Sequence, residues 1–148
     1  MKFYNKEENQ RHLQICIEIE RHLIKKGLLP KREWFLILDH EDHIIGLPRY
    51  EITVAEKARK NKYRNPDIIW IDSFGLWILE IDGLVHYIKS GKTSKRNNIY
   101  ENNNCNFIIL ETFELKENSS KIINKPMEKL ISELDCKISE IKRKEKTL

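Results

Sequence analysis

Asp67-Ile68-Ile69-Trp70-Ile71-Asp72, then Ser73-Phe74-Gly75, then Leu76-Trp77-Ile78-Leu79-Glu80-Ile81-Asp82 is the stretch that decides the fold. Two strand-like runs flank a turn, the pattern of a β-hairpin. Both runs are near-continuously apolar rather than alternating, which predicts a sheet covered on both faces. Outward from the hairpin, Trp34 to Leu38 and Phe107-Ile108-Ile109-Leu110 read as further strands. Asp39 to His43 is polar enough for a turn, and a strand around Tyr50 to Val54 is expected to lead into a basic segment. Helical spacing predicts a first helix over 6–26, closed by Gly27, with Leu13, Cys16, Ile17 and Ile24 as its apolar stripe. A second helix is expected from Thr93 or Ser94 to about Asn103, with Arg96, Ile99, Tyr100 and Asn103 on one side. A third starts at Asn124-Lys125-Pro126 and carries Met127, Leu130, Ile131, Leu134, Ile138 and Ile141 as its stripe. The order predicts an α/β sandwich around a small mixed sheet, flanked by helices.

The 148 residues predict one domain, 1–148, with no linker or repeat. Charged residues make up 34%, and no apolar run approaches the ~18 residues of a membrane span. The N-terminus, MKFYNKEENQ, is charged where a signal peptide is apolar. A soluble intracellular, cytoplasmic domain is therefore expected. Cys16, Cys105 and Cys136 are far apart and lack metal-ligand spacing, so they read as reduced thiols, with neither disulfides nor a structural zinc site. Net charge is +4. Within it, Lys57, Arg59, Lys60, Lys62 and Arg64 form an acid-free run, either a solvated face or the footprint of phosphate contacts.

The acidic residues fall at element ends that can meet. Glu80 and Asp82 are two apart on a strand and leave the same face. Asp67 starts the antiparallel partner, so hairpin geometry brings it beside them. Three converging carboxylates repel one another strongly. A divalent cation relieves that repulsion, and oxygen donors suit magnesium or manganese. Gly83 lets the chain turn or another group approach, and His86 follows where it can move a proton. Lys89, Lys92, Lys95 and Arg96 supply cations nearby. Glu20 lies on the apolar stripe of the first helix, where it reads first as a salt bridge at the core edge and alternatively as a carboxylate aimed into a site.

Pro66-Asp67, Glu80-x-Asp82-Gly83-x-x-His86, Arg96-x-x-x-Tyr100 and the strand Phe107 to Leu110 together resemble the PD-(D/E)XK nuclease superfamily. The nearest branch is similar to very-short-patch mismatch-repair endonucleases, with an E-x-D-G-x-x-H signature. The resemblance covers residues 66–112 and extends to the first helix, where Glu20 matches an acidic residue many members carry. It implies a restriction-endonuclease-like core of helix, three strands, helix and strand, plus the C-terminal helix. It further implies a metal-dependent endonuclease hydrolysing DNA, of restriction, repair or mobile-element type. Asp67, Glu80 and Asp82 would hold magnesium or manganese, His86 would assist proton transfer, and Glu20 would position a second metal or the attacking water. The basic run 57–64, with Lys92 and Arg96, would hold the DNA backbone. The superfamily's usual Lys two residues after the second acid is Asp82 here, and the Asp that often precedes the helix Arg by three positions is Thr93. Lys95, Lys92 or His86 would then replace the Lys as general base. The missing Lys motivates an alternative, a non-cleaving nucleic-acid-binding or protein-interaction module. A third reading takes Asp39-His40 and Asp42-His43 as the start of a ββα-metal nuclease, without a convincing downstream Asn and His. A domain this small implies a homodimer, or two successive nicks, for double-strand cleavage.

Overall fold

The computed structural model describes residues 6–45, 62–84, 90–116 and 120–146. In chain order the elements are α1 (Lys6–Lys25), β1 (Lys31–Arg32), β2 (Leu36–Leu38), β3 (Lys62–Arg64), β4 (Ile68–Asp72) and β5 (Gly75–Asp82). Then come α2 (Ser90–Asn102), β6 (Asn106–Glu111), β7 (Phe113–Leu115), β8 (Ile122–Asn124) and α3 (Met127–Lys146). The central sheet has the order β1-β4-β5-β6. Its first two pairings are antiparallel, and β5 with β6 is parallel. The protein is thus mixed α/β, and its described residues place three helices around a mixed four-stranded sheet.

The hairpin turns at Ser73-Phe74, one residue tighter than the sequence suggests, because Asp72 already pairs with Gly75. Gly75 takes φ +108°, a conformation side chains rarely adopt. Asp72 locks the turn by accepting from the Phe74 N–H (2.8 Å) and the Trp77 indole N–H (2.7 Å).

The apolar strands divide the core in two. Ile68, Trp70, Trp77, Leu79 and Ile81 face α1 and α3, and Trp70 stacks on Trp77 at 5.4 Å. Ile69 and Ile78 face Ile99 and Tyr100 of α2 together with Leu36 and Leu38 of β2. Both faces of the sheet are covered, which is why its strands do not alternate.

Several expectations are corrected. The buried face of α1 is Ile15, Cys16, Ile19 and Leu23, while Leu13 and Ile24 are 48% and 54% exposed. Apolar residues spread over an arc wider than one contact face on this helix, so packing against the sheet and α3 decides which part of that arc is buried. His22 joins that interface by bonding Asp135 of α3 at 2.8 Å, although its neighbours in sequence suggest a solvated side. The second helix starts at Ser90, before Thr93. Part of the basic run, Lys62–Arg64, is a strand paired with β2, and β7 and β8 form a short hairpin without a clear sequence signal. The third helix buries Leu130, Leu134 and Ile138, as its stripe predicts. The expected strand around Tyr50 to Val54 lies outside the described residues. Among the described residues, no helix is long and apolar enough to cross a membrane.

The rotated face of α1 is directly testable. Ile19→Ala empties a fully buried site and should cost about 2–5 kcal/mol. Leu13→Ala should change stability by less than about 0.5 kcal/mol. Urea midpoints of the two variants measure the difference, and equal losses would return the helix to the sequence-derived face.

Candidate functional site

The hairpin register builds the site. With Ile68 opposite Leu79, the residue just before β4, Asp67, falls beside Glu80. The Asp67 N–H donates to Glu80 Oε1 at 2.9 Å, and Asp67 Oδ2 accepts from the Ile81 N–H at 2.7 Å. Each carboxylate is therefore oriented by the opposite strand's backbone.

Glu80 and Asp82 share the face of β5 that looks toward α2, as their spacing requires. There they meet Arg96. Its Nη1 lies 2.9 Å from Glu80 Oε2 and 3.0 Å from Asp82 Oδ1, and its Nη2 lies 2.7 Å from Asp82 Oδ2. Glu80, Asp82 and Arg96 are all buried. Arg96 was expected to hold a DNA phosphate, but it is turned inward onto two desolvated carboxylates that need a cation. Asp82, expected as a third metal ligand, has both oxygens on this guanidinium. Burial, and then the charge of Asp67, push the Glu80 carboxyl up to about 8 despite Arg96.

On the other side of Asp67 stands a pair that composition and spacing did not single out. His12 Nε2 lies 3.3 Å from Asp67 Oδ1 and 3.1 Å from the Ile81 carbonyl oxygen. The hydrogen bond to Asp67, followed by Cys16, raises the imidazole to about 11, so it is charged at neutral pH. One helical turn on, Cys16 Sγ lies 3.9 Å from both ring nitrogens, and burial pushes its thiol up. Among the described residues, the one group of three possible metal donors within 4.8 Å of one another is His12, Cys16 and Asp67. The usable signal was His12-x-x-x-Cys16, a spacing that puts two donors on one helix face.

A cleft of about 520 Å³ opens at this end of the sheet, with Arg11, His12, Asp67, Gly83 and Thr112 in its wall. Gly83 has room for a side chain there, since a Cβ would meet Thr112 Oγ1 at 3.8 Å.

The remaining candidates are scattered. Glu20 accepts from Arg32 Nε at 3.2 Å, the salt bridge at the core edge. Lys95 is exposed and lines a separate groove with Glu41, Asp42 and His43. Lys62 pairs with Asp42 at 3.2 Å, and Arg64 is half-buried on β3. Asp39 holds its own turn by accepting from the Glu41 and His43 N–H groups, so the Asp39 to His43 run serves a turn. Lys92 lies on α2 with its side chain outside the described residues. Lys57, Arg59, Lys60, His86 and Lys89 lie outside them altogether. Compared with known proteins, the chain matches no family model, no curated protein and no solved structure.

Removing Arg96 should expose the cost of the buried carboxylates. Arg96→Met is expected to lose about 3–5 kcal/mol of stability at about pH 9. Glu80 binds its proton more tightly folded than unfolded, so stability declines as pH rises from about 4.5 to about 8. Without Arg96 that decline steepens, and the penalty should shrink near pH 5. Chemical denaturation of the metal-free protein at both pH values checks this, and a pH-independent penalty contradicts it.

Proposed function

We propose that the chain is a divalent-metal-dependent phosphodiester hydrolase acting on DNA, built on a restriction-endonuclease-like core. The observation that carries this reading is Asp67 in the wall of an open cleft with the buried Glu80 carboxylate bonded directly to its backbone N–H, a crowding that raises Glu80 through burial and the charge of Asp67. Such crowding of desolvated carboxylates is the usual setting of a catalytic cation. The order helix, strands, helix, strand, with β5 and β6 parallel, agrees with the core that the resemblance implies.

The carboxylate oxygens suit a hard cation. Asp67 lines the cleft, and Glu80 lies buried behind it with Oε1 on the Asp67 N–H and Oε2 on Arg96. A cation held by both would have to draw Glu80 off the guanidinium, whereas Asp82 is committed to Arg96 through both oxygens. Magnesium or manganese bound there supplies charge neutralisation at the scissile phosphate and a more acidic water. The chain's own groups do the rest. Backbone N–H groups of Ile81 and Asp67 aim the two carboxylates. Arg96 is a positioning residue that fixes Glu80 from behind. His12 and Arg11 place positive charge on the cleft wall, where a phosphate would lie. On this reading His86 would assist proton transfer and the basic residues 57–60 would hold the DNA backbone. Double-strand cutting by one such domain takes two copies or two successive nicks, and the setting proposed is intracellular.

One observation favours a second reading. Arg96 already neutralises Glu80 and Asp82, as a protein cation would in a site that has given up its metal. On that reading the chain is a non-cleaving module that binds nucleic acid or a partner protein on the same fold.

Plasmid DNA separates the two. With magnesium or manganese the wild type should nick or linearise it, and with EDTA it should not. Asp67→Asn and Glu80→Gln should each lower cutting by ~100-fold or more while metal-free DNA binding persists. A folded wild type that binds DNA but fails to cut it with any divalent cation establishes the non-cleaving reading instead.

A further inference from the structure

A second coordination chemistry sits beside the oxygen pair. We propose that His12, Cys16 and Asp67 form a site for a borderline-soft divalent cation of the zinc class, at the junction of α1 with the start of β4. The inference goes beyond the hydrolase reading, although Asp67 belongs to both.

Spacing is the first support. A tetrahedral zinc ion with ordinary Zn–N, Zn–O and Zn–S bonds separates its nitrogen and oxygen ligands by roughly 3.3 Å and its sulfur and nitrogen ligands by roughly 3.5 Å. His12 Nε2 and Asp67 Oδ1 are 3.3 Å apart, and Cys16 Sγ and His12 Nε2 are 3.9 Å apart. All three donor atoms lie within 4.8 Å of one another, so a side-chain adjustment without backbone movement closes the difference. Position is the second support. His12 and Cys16 are four apart on α1, and Asp67 is held by the Ile81 N–H, so the donors are presented by backbone that is already ordered.

Space is the third. All three donors line a partly open cavity of about 210 Å³, together with Arg32, Asn65 and Pro66, which can take an ion and a water. Three protein donors and an open fourth position are the pattern of reactive rather than purely structural zinc sites. Arg32 is the cation that opposes occupancy, and Glu20 offsets its charge at 3.2 Å. The mixed donor set also sets this site apart from the oxygen pair. A thiolate with an imidazole favours zinc or cobalt over magnesium. On binding, the thiol and the imidazolium release their protons to solvent.

Cobalt titration of the metal-free protein reads the site through its sulfur. The wild type should develop a thiolate-to-cobalt charge-transfer band in the near ultraviolet, saturating near one equivalent and abolished by zinc. Cys105→Ser and Cys136→Ser should keep the band. Cys16→Ser should lose it and weaken zinc binding by at least ~10-fold, the cost of losing even an outer-shell partner. His12→Gln alters a half-exposed residue and should weaken zinc binding similarly, which keeps the test sharp if Cys16→Ser fails to fold. No band in the wild type, or zinc affinity unchanged in His12→Gln, overturns the proposal. Zinc binding without DNA cutting by any metal leaves this site and removes the hydrolase reading. Magnesium-dependent cutting without a thiolate band does the reverse.

Discussion

Carboxylates at the end of a covered sheet must be neutralised, and much of this structure is arranged around how that is done. Asp67, Glu80 and Asp82 lie where the β4/β5 hairpin emerges between helical layers. At an effective dielectric near 20, two such charges ~4 Å apart repel by about 4 kcal/mol. The cations come from opposite faces of the sheet. Arg96 on α2 takes Asp82 with two nitrogens and Glu80 with one of them. His12 on α1 takes Asp67 at 3.3 Å.

Those two contacts fix more than charge. A guanidinium with a bidentate partner tolerates little rotation or slippage, so Arg96 sets the register of α2 over the sheet and brings Ile99 and Tyr100 onto Ile69 and Ile78. The same register carries Asn103 to the turn after β2, where its side chain accepts from the Ile44 N–H and donates to the Asp42 carbonyl oxygen. On the other face, apolar packing does the larger share. Ile15, Ile19 and Leu23 meet the sheet beside Leu130 and Leu134 of α3, and the His22–Asp135 bond ties the two helices together. An ion cluster on one face and a broad apolar layer on the other hold the hairpin between them.

This division explains what was legible in the sequence. The central hairpin, β6 and α3 could be read because long apolar runs and a regular stripe leave little choice. The meeting of Asp67 with Glu80 could be read as well, since hairpin register follows from strand length and turn position. The short strands β1, β3, β7 and β8 could not, because two or three mixed residues carry no period. The face of α1 was misjudged because Leu13 and Ile24 are as apolar as the residues that pack. Arg96 looked like a phosphate contact because a cation in a polar helix carries no mark of burial. Only the carboxylates waiting beneath it turn it inward. Cys16 reads as a plain thiol in the sequence for a related reason. Spacing rules find donors that are close in sequence, whereas its partner Asp67 arrives from a distant strand.

Asp67 is where these constraints meet. One of its oxygens is spent on the Ile81 N–H, which holds the carboxylate at a fixed angle between α1 and β5. The other oxygen is shared with an imidazolium on the wall of the cleft. A cation entering here does not meet a bare negative charge, because a positive group already balances it. It must displace the proton of His12 or draw Asp67 away from the imidazole. That competition lowers affinity, and the ordered backbone behind the donors partly offsets the loss. The same balance lets the metal-free chain keep three carboxylates together without unfolding. The charge arrangement that stabilises the resting fold is therefore also the one a metal ion has to compete with.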